Sequence, residues 1–272
     1  MNAVALPRAR GRWLMPALLA LPLLMLLGAS WPGLPDPDHI DLAQRLRASN
    51  WQHWLGTDPL GRDLLARLLH GSRITLSLAL GAVLLGGLAG TALGLVAGYL
   101  GGAWERVLMR LTDMQMALPT LLLALLIVAA LGPGIANLVI ILALTGWTRF
   151  ARVVRGQVLA LREREFILSA HAIGAGPLRI MLRHLLPNLL GPLLVLATLE
   201  LARVILIEAA LSYLGLGVQP PTASWGRMLA EGEPYIASAW WVVSYPGIAI
   251  VATVLAINLG GDHLRDHLDP RR

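Results

Sequence analysis

The feature that most limits how this chain can fold is a series of near-continuous apolar runs, each on the order of twenty residues, separated by short segments in which arginine collects. As an α-helix, such a run rises ~1.5 Å per residue and spans the ~30 Å hydrocarbon slab of a bilayer. Hydrophobic residues make up 56% of the 272 residues and charged residues 14%, well away from the soluble balance. The expected architecture is an all-α membrane protein with six spans. They fall at about Trp13–Ser30, Ile74–Tyr99, Val107–Leu131, Ile135–Phe150, Leu189–Tyr213 and Ile236–Leu259. Gly132-Pro133-Gly134 is a turn signal that makes the third and fourth spans a tight hairpin. The rival for the first run is a cleaved signal peptide, with Arg8, Arg10 and Arg12 as its basic start and Gly28, Ala29 and Ser30 as small residues. The run is long for that, and more membrane protein follows it.

Arginine sets the orientation, because basic residues concentrate on the cytoplasmic side. With the N-terminus inside, fifteen arginines fall on the cytoplasmic side, seven of them between Arg149 and Arg183. Six face out: Arg45, Arg47, Arg62, Arg67, Arg73 and Arg227. Both termini are expected in the cytoplasm. Trp240 and Trp241 then start the sixth span at the outer interface, and Trp51 and Trp54 fall in an outer segment. The chain divides into an N-terminal helix and outer segment (1–73), a core (74–260) with a cytoplasmic loop (151–188), and a cytoplasmic tail (261–272).

Gly86, Gly90, Gly94 and Gly98 recur every four residues in the second run. In lipid that spacing lets another helix backbone approach closely. The fifth run holds Glu200, Arg203 and Glu208. Ionisable groups at that depth face protein or water. Glu200 and Arg203 are three apart and can pair on one face, which lines a hydrated pathway or fixes helix packing.

The stretch LSAHAIGAGPLRIMLRHLLPN, residues 168–188, is too polar to cross a membrane. Residues from about Arg162 to Ala172 form a short helix; Gly174 ends it at positive φ, and Pro177 opens the next. Leu178, Met181, Leu182 and Leu185 repeat at helical spacing, and Pro187 sits where the fifth span begins. The segment is a helix-turn-helix knob. Such a knob can rest on headgroups, fit a partner's groove, or be an interfacial loop with no partner.

The stretch resembles the "EAA" loop of bacterial ATP-binding-cassette (ABC) importer permeases. Gly174 takes the glycine position, Leu186-Pro187 the leucine-proline, and Ser169 and Ala170 the two alanines. Leu168 stands at the glutamate position and His184 at the isoleucine, so an acidic contact there cannot be carried over. Arg183-His184-Leu185-Leu186-Pro187-Asn188 is similar to the peptide and nickel branch. LGTDPLGRDLLARLLHGSRITL, DMQMALPTLLLAL, EAALSYLGLGVQPPTASWGRMLAEG and NLGGDHLRDHLDPR resemble its second, C-type permease subunit.

The resemblance implies a type I ABC importer permease fold in a bacterial inner membrane. It implies a homologous second permease, two cytoplasmic ATPase subunits that hold ATP and Mg, and an extracytoplasmic substrate-binding protein. It also implies that Ser169, Ala170, Ala172, Gly174, Arg179, Arg183, His184, Leu186 and Pro187 couple to the ATPase. Glu200, Arg203 and Glu208 are the pathway or interface candidates.

The expected cargo is a di- or oligopeptide. Nickel is the closest alternative, and an ion-coupled carrier is an alternative from another class. This chain has no G-x-x-x-x-G-K-[ST] motif to cradle phosphates, no cysteine, and no Cys/His cluster. Its cofactor expectation is therefore none. His39, His53 and His70 are scattered in the outer segment, as surface residues are. Ser169 and His171 lie too close in one short helix for a nucleophile and base with an orienting acid, so no catalytic role is expected. The arginines form no single patch interleaved with aromatics, which disfavours nucleic acid, whereas lipid is an expected neighbour.

Overall fold

The computed structural model describes residues 20 and 22–268, and among these it is helical, with a lone bridge between Thr57 and Asp63. Residues 22–28 are helical; the first part of the predicted first span, and Arg8, Arg10 and Arg12 before it, lie outside the described residues, as do Arg271 and Arg272.

The long helix α1 covers Leu64–Leu100, starting well before the predicted Ile74. Asp63 explains the early start, since its carboxylate accepts from the Ala66 amide at 2.8 Å and caps the first turn. Gly101, at φ 65°, follows its end.

The predicted third span is broken. Helix α2 covers Gly102–Met116 and α3 covers Thr120–Leu131, and the two bend by 92°. Pro119 supplies the reason: its ring disfavours helical geometry at Leu118 and it has no N–H to continue the ladder. Helix α4 covers Ile135–Leu161, running past the predicted Phe150. Its extra turns are held to α2 by Arg155 with Glu105 and by Arg152 with Asp113 (2.6 Å).

Helix α5 covers Glu165–Ala172, α6 Pro177–Ile180, and α7 Leu186–Tyr213. Pro187 does not start a new helix. A π turn at Met181–Leu185 joins α6 to α7, with the Leu186 amide donating to the Met181 carbonyl, five residues back. Pro177–Tyr213 is thus one continuous 37-residue rod. Helix α8, Trp225–Gly232, was not anticipated; Ser224 caps it through the Arg227 amide at 3.2 Å. Helix α9 covers Trp241–Leu268.

Among the described residues, four helices are long and apolar enough to cross a membrane: Leu64–Leu100, Ile135–Leu161, Pro177–Tyr213 and Trp241–Asp266. The α2–α3 pair passes only when its halves are taken together.

The chain packs as two compact units. Among the described residues, one holds 80–131, 139–200 and 261–268; the other holds 22–79, 132–138 and 201–260. In the first, the glycine register does what its spacing predicts. A Cβ on Gly90 would stand 2.2 Å from the Trp147 carbonyl oxygen, and one on Gly94 2.6 Å from that of Ala151. At Gly86 the nearest atom is the Ala143 oxygen at 2.9 Å, and at Gly98 the Val158 Cβ at 2.8 Å. Helices α1 and α4 therefore meet at close backbone approach from Gly86 to Gly98, about three turns.

In the second unit, Trp225 is fully buried, donating through Nε1 to the Leu68 carbonyl at 3.0 Å. A Cβ on Gly226 would stand 2.5 Å from the Ala209 Cα.

Gly90→Ala is expected to destabilise the α1–α4 contact by about 1–3 kcal/mol, the usual range for overpacking. Gly86→Ala, with more room, is expected to do less. Thermal unfolding of the purified protein in detergent checks this, and equal midpoints for the two variants would contradict the backbone-contact reading.

Candidate functional site

The knob at 162–188 is built outward from a small apolar base. Ile167 and Ala170 of α5, Ile180 of α6, and Leu185 and Leu189 bury their side chains with Leu95, Val154 and Val158. At helical spacing, Ile167 and Ala170 are three apart and share the inward face, so the residues between them point out. Leu168, Ser169, Ala172 and Ile173 are exposed, Ile173 at 84%.

The turn follows from Gly174. Its φ is 80°, in the left-handed region where a Cβ is penalised. With Gly174 there, its amide donates to the His171 carbonyl at 2.9 Å, and the Ala175 amide reaches back to the Ala170 carbonyl at 3.0 Å. These two bonds form a Schellman closure, which satisfies carbonyls the helix end would otherwise leave open. Gly176 then caps α6 and Pro177 takes its first position, where a missing N–H costs nothing. The tip is tied back to α1. The His171 ring stacks on Tyr99, with centroids 6.0 Å apart and planes 3° from parallel, and Arg162 donates to the Gly98 carbonyl at 3.3 Å.

The structure places the predicted coupling residues along α5, the turn, α6 and the start of the rod, with three different exposures. Ala170 belongs to the buried base. Ser169, Ala172, Gly174, Arg179, Arg183 and Pro187 are exposed, while His184 and Leu186 are half-buried.

Glu200 and Glu208 fall in different units. Glu200, almost fully buried, accepts from Arg149 Nη1 at 3.0 and 3.2 Å. Arg149, near the end of the predicted fourth span, lies in helix α4 and is paired to α7. Glu208 lies in the other unit, fully buried, accepting from the Ser212 hydroxyl at 2.7 Å and facing the hydroxyls of Ser224 and Thr75. Ser212 also accepts from the Val218 amide at 3.0 Å, so the acid braces the turn that follows α7.

A second constellation escaped the sequence argument. Arg62 bridges Asp58 at 2.5 Å and Glu231 at 2.8 Å; Arg67 reaches Glu231 at 3.1 Å, and Arg227 holds Glu231's other oxygen at 3.1 Å. This buried network ties the loop before α1 to helix α8. The i, i+4 spacings Asp58/Arg62 and Arg227/Glu231 were its only local signal. His53 Nδ1 contacts Asp63 at 2.8 Å and His70 Nδ1 contacts the Ala66 carbonyl at 3.0 Å.

Long apolar helices with buried charge pairs define a multi-pass membrane protein. Residues 90–272 match the family described as "Binding-protein-dependent transport system inner membrane component". The di/tripeptide transport system permease protein DppC of Pseudomonas aeruginosa is 50% identical over 217 residues, covering 80% of this chain and 72% of that protein. The nickel transport system permease protein NikC of Escherichia coli K12 is 43% identical over 253 residues, covering 93% and 91%. A probable D,D-dipeptide transport system permease protein, DdpC of the same strain, is 39% identical over 254 residues, covering 93% and 85%. Two inward-facing crystal structures of the MetNI methionine ABC transporter share the fold. Their TM-scores are 0.59 and 0.60, at 20% and 21% identity, over 74% of this chain and 95% of theirs.

The chain belongs to the binding-protein-dependent inner-membrane permease family. It is a permease subunit of an ABC importer, and ATP hydrolysis resides in a separate subunit.

Arg62→Met is expected to cost about 3–5 kcal/mol, because it leaves Asp58 and Glu231 buried without one of their partners. The thermal midpoint of the purified protein measures this; an unchanged midpoint would show that the network is solvated rather than buried.

Proposed function

We propose that this chain pairs with a homologous second permease to form the pathway of a di- or oligopeptide importer. In this reading the 162–188 knob is the cytoplasmic contact for an ATPase subunit. Six spans with both termini in the cytoplasm are part of it. An extracytoplasmic binding protein delivers the peptide, and two ATPase subunits carry ATP and Mg. The cycle is mechanical: closure of the ATPases on ATP moves the knob, and the knob moves α7.

The observation that carries this reading is the construction of the knob. Its base is buried and its turn is closed by two backbone bonds, while Leu168, Ile173 and Leu178 stand exposed at the surface. An apolar tip on a rigid base suits docking into a partner's groove. Leu168, at the position of the family's glutamate, makes that docking apolar rather than ionic. The peptide cargo is supported by the di/tripeptide and D,D-dipeptide relatives. Nickel is the second reading, favoured by the nickel permease that matches over almost the whole chain.

Gly174→Val is expected to strain the turn by at least ~1–2 kcal/mol, whereas Gly174→Asn, whose residue tolerates this φ, is expected to be milder. The Val variant should lose most ATP-driven uptake while its ATPase subunits hydrolyse ATP without transport or fail to co-purify. Wild-type uptake with normal co-purification would remove the coupling role. The cargo is decided by purifying the partner binding protein: mass spectrometry finds peptides if the first reading holds, and elemental analysis finds nickel if the second does.

A further inference from the structure

Arg149 is only half used. It lies fourteen residues along α4 from Ile135 and twelve from Leu161, so roughly 20 Å of helix separates it from either end. That far from both ends of a membrane helix, a guanidinium needs a partner or water. Glu200 supplies one, yet it engages Nη1 alone. The Nε/Nη2 edge, the side of the fork that takes a carboxylate in two parallel bonds, has no partner among the described residues. The Arg149 side chain is also 33% exposed, against 6% for Glu200.

Arg149 also lines a cavity of about 50 Å³, together with the polar Gln115, Thr120, Thr145 and Thr148 and the apolar Met116 and Leu123. A water needs ~10–15 Å³ of such space, so the cavity has room for a group of about three heavy atoms. The cavity sits at the break between α2 and α3, where the chain leaves helical geometry at Ala117–Pro119. Non-helical backbone at membrane depth is tolerated only against protein or a hydrated cavity. Gln115 holds the break to α4, donating to the Leu144 carbonyl at 2.7 Å and accepting from Trp147 Nε1 at 2.9 Å. The polar wall is therefore preorganised.

We propose that Arg149 is a substrate-contact residue, and that its open edge takes the C-terminal carboxylate of a peptide in transit while Glu200 holds the guanidinium in place. The inference rests on the peptide reading above and gives it a chemical basis. Every linear peptide has one such carboxylate whatever its sequence, so a permease serving varied peptides gains a contact that ignores side chains. Glu200 is the positioning residue, and Gln115 fixes the wall opposite.

The test uses the complete importer in proteoliposomes: both permeases, the ATPases and the binding protein. The probes are trialanine and trialaninamide, each at a concentration that saturates the binding protein. The wild type is expected to import the free acid faster than the amide. Arg149→Gln/Glu200→Gln removes both charges of this pair together. It is expected to narrow that ratio roughly tenfold, the scale of one lost charge-assisted hydrogen bond. A pair that served packing alone would slow both peptides by the same factor and leave the ratio at its wild-type value, which overturns the proposal. If the double variant does not assemble, Arg149→Lys gives the same readout. It keeps a charge for Glu200 and loses the fork, and an unchanged ratio there overturns the proposal too. Wild-type vesicles that import neither peptide, with nickel in the binding protein, would instead mean that the peptide reading itself has failed.

Discussion

The close approach of α1 to α4 is the contact on which the rest of its unit depends. In lipid there is no hydrophobic force to press two helices together, so association rests on how near their backbones can come. The carbonyls of Ala143, Trp147 and Ala151 lie where side chains at Gly86, Gly90 and Gly94 would otherwise stand. That fit fixes the rotation of α4 about its own axis. Arg149 then points toward Glu200, Arg152 and Arg155 toward the acids of α2, and Val154 and Val158 toward the base of the knob.

Features with a short-range cause were legible in the sequence. The glycine ladder was visible because a four-residue period maps directly onto a helix face. The turn of the knob was visible because Gly174 and Pro177 act on their own backbone. The break at Pro119 was not, because Val107–Leu131 stays apolar enough to pass for one span and hydropathy carries no information about direction. The partner of Arg149 was not legible either, because Glu200 lies 51 positions away on another helix. Helix α8 has eight residues in a polar stretch, too few for a periodic signal. The ion network was hidden because Arg62 and Glu231 are 169 positions apart.

The chain manages buried charge in two ways. Before α1 and on α8, three arginines converge on two acids, and the network closes on itself: Glu231 alone engages Arg62, Arg67 and Arg227. Such an arrangement suits a scaffold, since removing any member strands the others. The Arg149–Glu200 pair is open on one edge and borders a cavity. The same residue types serve rigidity in one place and leave bonding capacity in the other, and the difference lies in how many donors are already committed.

The π turn at Met181–Leu185 makes the knob and α7 a single rod. A rod has a phase as well as a length. Adding or removing one residue between Pro177 and Glu200 would swing Glu200 about 100° around the helix axis relative to the knob. Residues 177–200 therefore form a stretch whose length is as constrained as its chemistry. Natural variation in loop size has to be absorbed elsewhere, for instance in the exposed Glu163–Arg164 link before α5.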